Sequence, residues 1–179
     1  MKKVDVGQLR YVEAAEADIP ALTAVMTRSF DDDSQRFQDK PEGGPDGYNT
    51  GEFFRRFMVA GSCYKIMLGN ILIGAFIVFR DYPQKGSNIL GTIFLDPKYQ
   101  NRGIGTQVME YIHKSFPAKR WLLDTPEWHT RNHSFYEKLG YHKIGERKEP
   151  HAGFMLWIYQ KNMDGSLPKA KRVGQNSNI

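Results

Sequence analysis

The chain has one cysteine, Cys63, among 179 residues. That excludes an internal disulfide and a cysteine-only metal cluster, and it points to a reducing compartment. No apolar run approaches the roughly 18 residues that a spanning helix needs. The opening MKKVDVGQLR lacks the apolar core of a signal peptide, so a cytoplasmic protein without membrane association is expected. The five histidines, at 113, 129, 133, 142 and 151, show no HExxH or similar spacing, so no metal is expected. Acid is missing from residues 165–179, where Lys169, Lys171 and Arg172 carry three of the five net positive charges and leave +2 on residues 1–164. Residues 1–164 are therefore read as one domain and 165–179 as a basic, disordered tail. No groove-reading motif accompanies the basic residues, so no nucleic-acid partner is expected; a module binding nucleic acid through the tail is the rival that deleting 165–179 would expose.

What is present reads as one α/β domain. Residues 9–13 form a short strand. Asp18 offers an N-cap and Pro20 fits the first turn of a helix to about Phe30, in which Ile19, Leu22, Val25, Met26 and Phe30 recur at helical spacing. Residues 31–49, rich in Asp, Gly and Pro, read as a long loop, and a second helix covers 52–59. Strands at 62–68 and 71–79 flank the hairpin signal Gly69-Asn70. Another strand, 89–95, stops at Asp96-Pro97. A helix over 103–116, a strand over 120–125, a helix over 132–139 closed by Gly140, and strands over 141–147 and 154–159 complete the chain. The strand–helix–strand unit across 89–125 implies a parallel pair, whose carboxyl ends, Leu95 and Thr125, favour ligands.

Between Leu95 and the following helix lies Gln100-Asn101-Arg102-Gly103-Ile104-Gly105-Thr106. Two glycines let backbone approach a ligand, and first-turn amides of a helix suit phosphate. The P-loop lysine is absent, and Val108 stands where a dinucleotide fingerprint has its third glycine. A merely tight turn would explain the glycines alone. After a buried strand, however, Gln100-x-x-Gly103-x-Gly105 resembles the [RQ]-x-x-G-x-[GA] pyrophosphate loop of the GCN5-related N-acetyltransferase (GNAT) superfamily. The stretch Asn132-His133-Ser134-Phe135-Tyr136-Glu137-Lys138-Leu139-Gly140-Tyr141 resembles that family's second signature, with one residue fewer before Phe-Tyr. The likeness follows element order over about 9–160 and is specific over 89–141.

The resemblance implies a mixed, mainly antiparallel sheet with a splayed central parallel pair, flanked by helices. It also implies transfer of an acetyl group from acetyl-CoA to an amine of a small molecule, peptide or protein, by direct attack in a ternary complex. A non-catalytic acyl-CoA-binding sensor is the alternative. Pantetheine would pair with free backbone at Phe94 and Leu95. The pyrophosphate would rest on the amides of Arg102, Gly103, Ile104, Gly105 and Thr106, with Gln100 and Asn101 shaping the loop. Arg102 is either a phosphate contact or a solvated charge; Asn132 either lines the pantetheine arm or caps its helix. Tyr136 occupies the position that protonates the leaving thiolate, with packing on the sheet as its other reading. The base is least defined: Glu127 comes first, with His129 or a water relay as alternatives. Asp31, Asp32, Asp33 and Trp128 are the candidate acceptor-binding residues, and the protein is expected as a monomer or homodimer.

Overall fold

The computed structural model describes residues 9–40, 42–149 and 153–169; His151 and most of the basic tail, 170–179, lie outside them. The elements are β1 (Leu9–Glu13), α1 (Ile19–Gln38), α2 (Glu52–Ala60), β2 (Ser62–Leu68), β3 (Ile71–Phe79), β4 (Ser87–Leu95), α3 (Ile104–Ser115), β5 (Arg120–Pro126), α4 (Thr130–Lys138), β6 (His142–Lys148) and β7 (Met155–Asn162). The strand order is β1-β2-β3-β4-β5-β7-β6, with β4 and β5 as the parallel pair. The chain falls into two compact units, one reaching Phe79 and adding Thr92–Ser115, the other made of Arg80–Gly91 and the residues from Phe116 on. No helix of the described residues is long and apolar enough to cross a membrane.

In the first unit β1, β2 and β3 form an antiparallel meander whose Leu68↔Ile71 pairing closes the hairpin at Gly69-Asn70. Ile19, Leu22, Val25 and Met26 of α1 pack with Phe53 and Phe54 of α2 over Cys63, Ala75, Ile77 and Phe94. Each large apolar side chain buried here contributes about 1.5–3 kcal/mol. Cys63 is a core residue, its thiol pushed up to about 12 by burial and, less, by the charge of Asp18. Asp18 is the N-cap residue of α1 as the sequence suggests, but its side chain makes no capping bond to the helix: the carboxylate accepts from the Ala15 N–H at 2.8 Å and from Lys65 Nζ at 2.8 Å, tying the helix entry to β2.

The larger correction concerns α1. The helix does not end near Phe30 but continues two turns through Asp31, Asp32 and Asp33 to Gln38, and stops where Asp39 turns left-handed at φ 53°. Scarcity of apolar residues is not evidence against a helix whose outer face meets water. Polar pairing carries the extension: Arg36 Nε lies 2.9 Å from Asp32 Oδ2 one turn back, and Ser34 Oγ donates to the Glu42 carbonyl at 3.1 Å. The connection to α2 is thus shorter than expected.

In the second unit β4 and β5 run in parallel register from Ser87↔Arg120 to Ile89↔Leu122. The strand β4 begins two residues before its expected start, because Arg120 Nε donates to Ser87 Oγ at 2.6 Å and Asn88 Nδ2 to the Phe116 carbonyl at 3.0 Å. Antiparallel β5–β7 and β7–β6 pairings complete this side.

The tightest backbone approach in the first unit is at Gly74 of β3, where an added Cβ would lie near the Phe94 carbonyl oxygen. Gly74→Ala is expected to cost about 1–3 kcal/mol through this overpacking, measured as a lowered midpoint of urea unfolding with unchanged slope.

Candidate functional site

The first unit holds the strand-to-helix passage. Phe94 and Leu95 end β4 buried, at 4% and 8% exposure, with the Phe94 ring 6.4 Å from Phe30 and 6.2 Å from Phe54. The chain then makes a 3-10 turn, Pro97–Tyr99, capped by Asp96: its Oδ1 accepts from the Lys98 N–H at 3.1 Å, and its own N–H donates to the Ile73 carbonyl at 2.7 Å. Gln100 Nε2 donates to the Leu95 carbonyl at 3.0 Å. This bond ties the start of the loop back to the end of β4 and occupies a Leu95 acceptor that the sequence reading left free.

Beyond the turn the loop needs left-handed backbone twice, at Asn101 (φ 57°) and Gly103 (φ 77°). Asparagine tolerates that region and glycine enters it without penalty. Nothing lies within 4 Å of where a Gly103 Cβ would stand. Asn101, Arg102, Gly103 and Thr106 are exposed, Gly105 is half-buried and Ile104 is buried at 1%. Ile104, Val108, Met109 and Ile112 fix α3 by its buried stripe. The N–H groups of its first turn, at Ile104, Gly105 and Thr106, precede the point where helical bonding can satisfy them. The Arg102 guanidinium sits 5.8 Å from the Tyr99 ring centroid. Exposed donors at a positive helix end on a glycine-opened loop can bind phosphate.

The same unit relocates the three aspartates. They lie on α1 and serve the protein itself. Asp31 Oδ1 accepts from the Tyr48 hydroxyl at 2.6 Å and the Gly43 N–H at 3.3 Å; Asp32 pairs with Arg36; Asp33 is also engaged. They do not stand in an open loop as receivers for a cation. Tyr48, which the sequence reading passed over, is the residue that pins the 42–50 segment. An aromatic among the glycines, proline and aspartate of 42–50 was the available signal.

The second unit holds the remaining candidates. Tyr136, on α4, is 6% exposed and packs against Phe135, Tyr141 and Tyr159 at centroid distances of 5.2, 5.9 and 6.4 Å. Burial, and less so the charge of Asp124, pushes its pKa well above 10.0, so it stays a phenol throughout the neutral range. Its hydroxyl makes none of the hydrogen bonds among the described residues. Glu127 is exposed just past β5 and clasps the start of β7, its N–H donating to the Met155 carbonyl at 2.9 Å and its Oε1 accepting from the Met155 N–H at 3.0 Å. Asn132 does not cap α4, which starts at Thr130; its Nδ2 lies 3.3 Å from Thr125 Oγ1 at the end of β5. His129 is not a surface residue: it is 4% exposed and stacks on Trp128 at 5.2 Å. The Trp128 indole N–H is buried without an acceptor among the described residues, and Phe154 meets the ring edge-on at 6.1 Å. His133 likewise is internal, with Nε2 2.9 Å from the Pro126 carbonyl and its ring 4.2 Å from that of Trp157. Among the described residues, no three His, Cys, Asp or Glu side chains gather as a metal site.

Residues 55–143 match the family model of the acetyltransferase (GNAT) domain. The chain belongs to the GNAT superfamily. Solved structures agree on the fold. An acetyltransferase from Thermus thermophilus is similar at a TM-score of 0.69 and 17% identity, over 87% of this chain and 97% of that one. A GNAT family acetyltransferase from Elizabethkingia anophelis, solved with acetyl-CoA bound, gives 0.63 and 15% over 87% and 99%. The ribosomal-protein-S18-alanine N-acetyltransferase from Escherichia coli gives 0.64 and 14% over 96% and 99%. No curated protein matches the chain. The GNAT domain matched includes the Gln100–Gly105 loop and the Tyr136 signature.

The Tyr48–Asp31 contact generates a test. Burial first, and the hydrogen bond to Asp31 second, push the Tyr48 phenol from 10.0 up to about 12. Tyr48→Phe is expected to lower stability by about 1–2 kcal/mol at neutral pH. Because the folded pKa is raised, the hydroxyl's contribution is complete below about pH 10 and is lost as pH rises through about 12. Urea unfolding of both proteins between about pH 7 and pH 11 should give a stability difference that is level at first and then shrinks.

Proposed function

We propose that this GNAT protein is an N-acetyltransferase that moves an acetyl group from acetyl-CoA to an amine of a small molecule, peptide or protein, in one ternary complex. The observation that carries the reading is the loop from Gln100 to Thr106, with its two left-handed residues, the open space at Gly103 and the first-turn amides of α3 that helical bonding does not satisfy. The acetyl-CoA bound to the Elizabethkingia neighbour supports the choice of donor.

In the first unit the donor's pyrophosphate is assigned to the amides of Arg102, Gly103, Ile104, Gly105 and Thr106, and Arg102 adds a guanidinium suited to phosphate oxygens. Pantetheine is assigned to the backbone at Phe94 and Leu95. The acceptor side is assigned to the 42–50 segment that Asp31 holds in place, rather than to Asp31, Asp32 and Asp33 as direct ligands. In the second unit the family pattern assigns Asn132 to the pantetheine arm; Trp128, in the turn after β5, is assigned to the acceptor, for which its unpartnered indole N–H offers a donor.

The amine nitrogen attacks the thioester carbonyl carbon, a C–N bond forms, and the tetrahedral oxyanion collapses with cleavage of C–S. The amine must be neutral to attack, and an ordinary alkylamine is protonated at neutral pH. Glu127, exposed and with Oε2 outside its clasp on Met155, is the proposed proton acceptor. An ordinary thiol has a pKa of about 8.5, well below that of the buried Tyr136 phenol, so complete transfer from Tyr136 to the thiolate runs uphill. We therefore assign Tyr136 the donation of a hydrogen bond that stabilises the departing sulfur, with the proton following from solvent.

Tyr136→Phe keeps the ring packing and removes only the hydroxyl. The expected result is unchanged acetyl-CoA affinity and melting temperature with kcat lowered about 10²-fold, the low end for such groups. Thiol release, followed with a panel of amine acceptors, is the measurement. Equal kcat values with chemistry rate-limiting would remove Tyr136 from the mechanism. A folded wild type that binds acetyl-CoA but releases no thiol with any amine would favour a binding module.

A further inference from the structure

We propose that Arg28 is a positioning residue for the acetyl-CoA loop, acting through Asp96; this rests on the donor reading given above. Arg28 and Asp96 lie 68 residues apart and meet inside the first unit. Arg28 Nε and Nη2 both donate to Asp96 Oδ2, at 2.9 and 2.7 Å. The Asp96 side chain is 7% exposed, whereas that of Arg28 is 51% exposed, so the carboxylate carries most of the burial cost.

The location gives the pair its meaning. Asp96 is the residue between the last position of β4 and the turn that leads into the loop. Its other oxygen holds the Lys98 N–H, and its carbonyl accepts from the Tyr99 N–H at 2.8 Å. The Gln100 side chain then returns to Leu95. These ties lie within residues 95–100 and would move together as one piece. Two hydrogen bonds tie that piece to more distant parts of the unit: the Asp96 N–H on the Ile73 carbonyl and the Arg28 guanidinium on Oδ2. The second is a side-chain hydrogen bond that comes from α1, the helix that also carries Asp31 and through it the 42–50 segment.

An apolar pair of similar volume often supplies as much stability as a buried ion pair. The guanidinium fork supplies direction, and a small displacement at a phosphate-binding loop is costly to the bound group. Arg28 thereby sets where the first-turn amides of α3 stand, without touching the donor itself.

The test is calorimetric titration of acetyl-CoA into the full-length wild type and into Arg28→Lys, Arg28→Met and the double variant Arg28→Met/Asp96→Asn, well below their melting temperatures. Arg28→Met leaves a buried carboxylate without its counter-charge, so its melting temperature should fall. The double variant relieves that cost, and the asparagine oxygen still accepts from the Lys98 N–H. A positioning role predicts a Kd raised about tenfold in Arg28→Met and a smaller rise in Arg28→Lys. It also predicts a double variant whose melting temperature returns toward wild type while its Kd stays raised. Wild-type affinity in a folded Arg28→Met, or affinity that recovers together with melting temperature in the double variant, overturns the proposal. If Arg28→Met does not fold, the double variant decides alone. A folded wild type that fails to bind acetyl-CoA overturns both this inference and the donor reading; wild-type binding with unaffected variants overturns this inference only.

Discussion

The hydrogen bonds at the end of β4 are the constraint on which the first unit depends. At Leu95 a buried strand must stop, turn and present the first amides of a helix outward within nine residues, from Leu95 to Gly103. The Asp96 N–H on Ile73, the Asp96 carboxylate on Lys98 and Arg28, and the Gln100 amide on Leu95 accomplish this with few bonds. Their surroundings follow from them. Gly74 has to lack a side chain because the Phe94 carbonyl presses on it. Phe30 of α1 and Phe54 of α2 pack on the Phe94 ring, so these two helices are set by the strand whose end matters. Asn101 and Gly103 then bend a loop with nothing where a Gly103 side chain would be.

Much of this was legible in the sequence where local chemistry decides structure. The strands β1, β2 and β3 fall where alternation and Gly69-Asn70 place them, and α3 starts within a residue of its expected position. The Gln100–Gly105 loop is recognisable because glycine and left-handed backbone are tied to each other. The parallel β4–β5 pair follows from a strand, a helix and a strand in succession.

What was not legible depends on partners far along the chain. The last two turns of α1 carry few apolar residues, and the groups that hold them, Tyr48, Gly43 and Glu42, come 8 to 17 residues later. Asp96 reads in the sequence only as a strand stop, since its partner Arg28 stands 68 residues earlier. His129 reads in the sequence only as an alternative base, and nothing local shows that it and His133 are buried, stacked on Trp128 and Trp157. Three aspartates in a row suggest a cation site, and only the hydrogen bonds show that the fold uses them.

The claim on which everything functional rests is that the backbone from Phe94 to Thr106 receives the donor. Hydrogen–deuterium exchange with and without coenzyme A tests it without altering the protein. Slowed exchange confined to the amides of residues 94–106 and the first turn of α3 is the result this account predicts. Saturating coenzyme A that leaves those amides unchanged, or that protects a different segment instead, would contradict it.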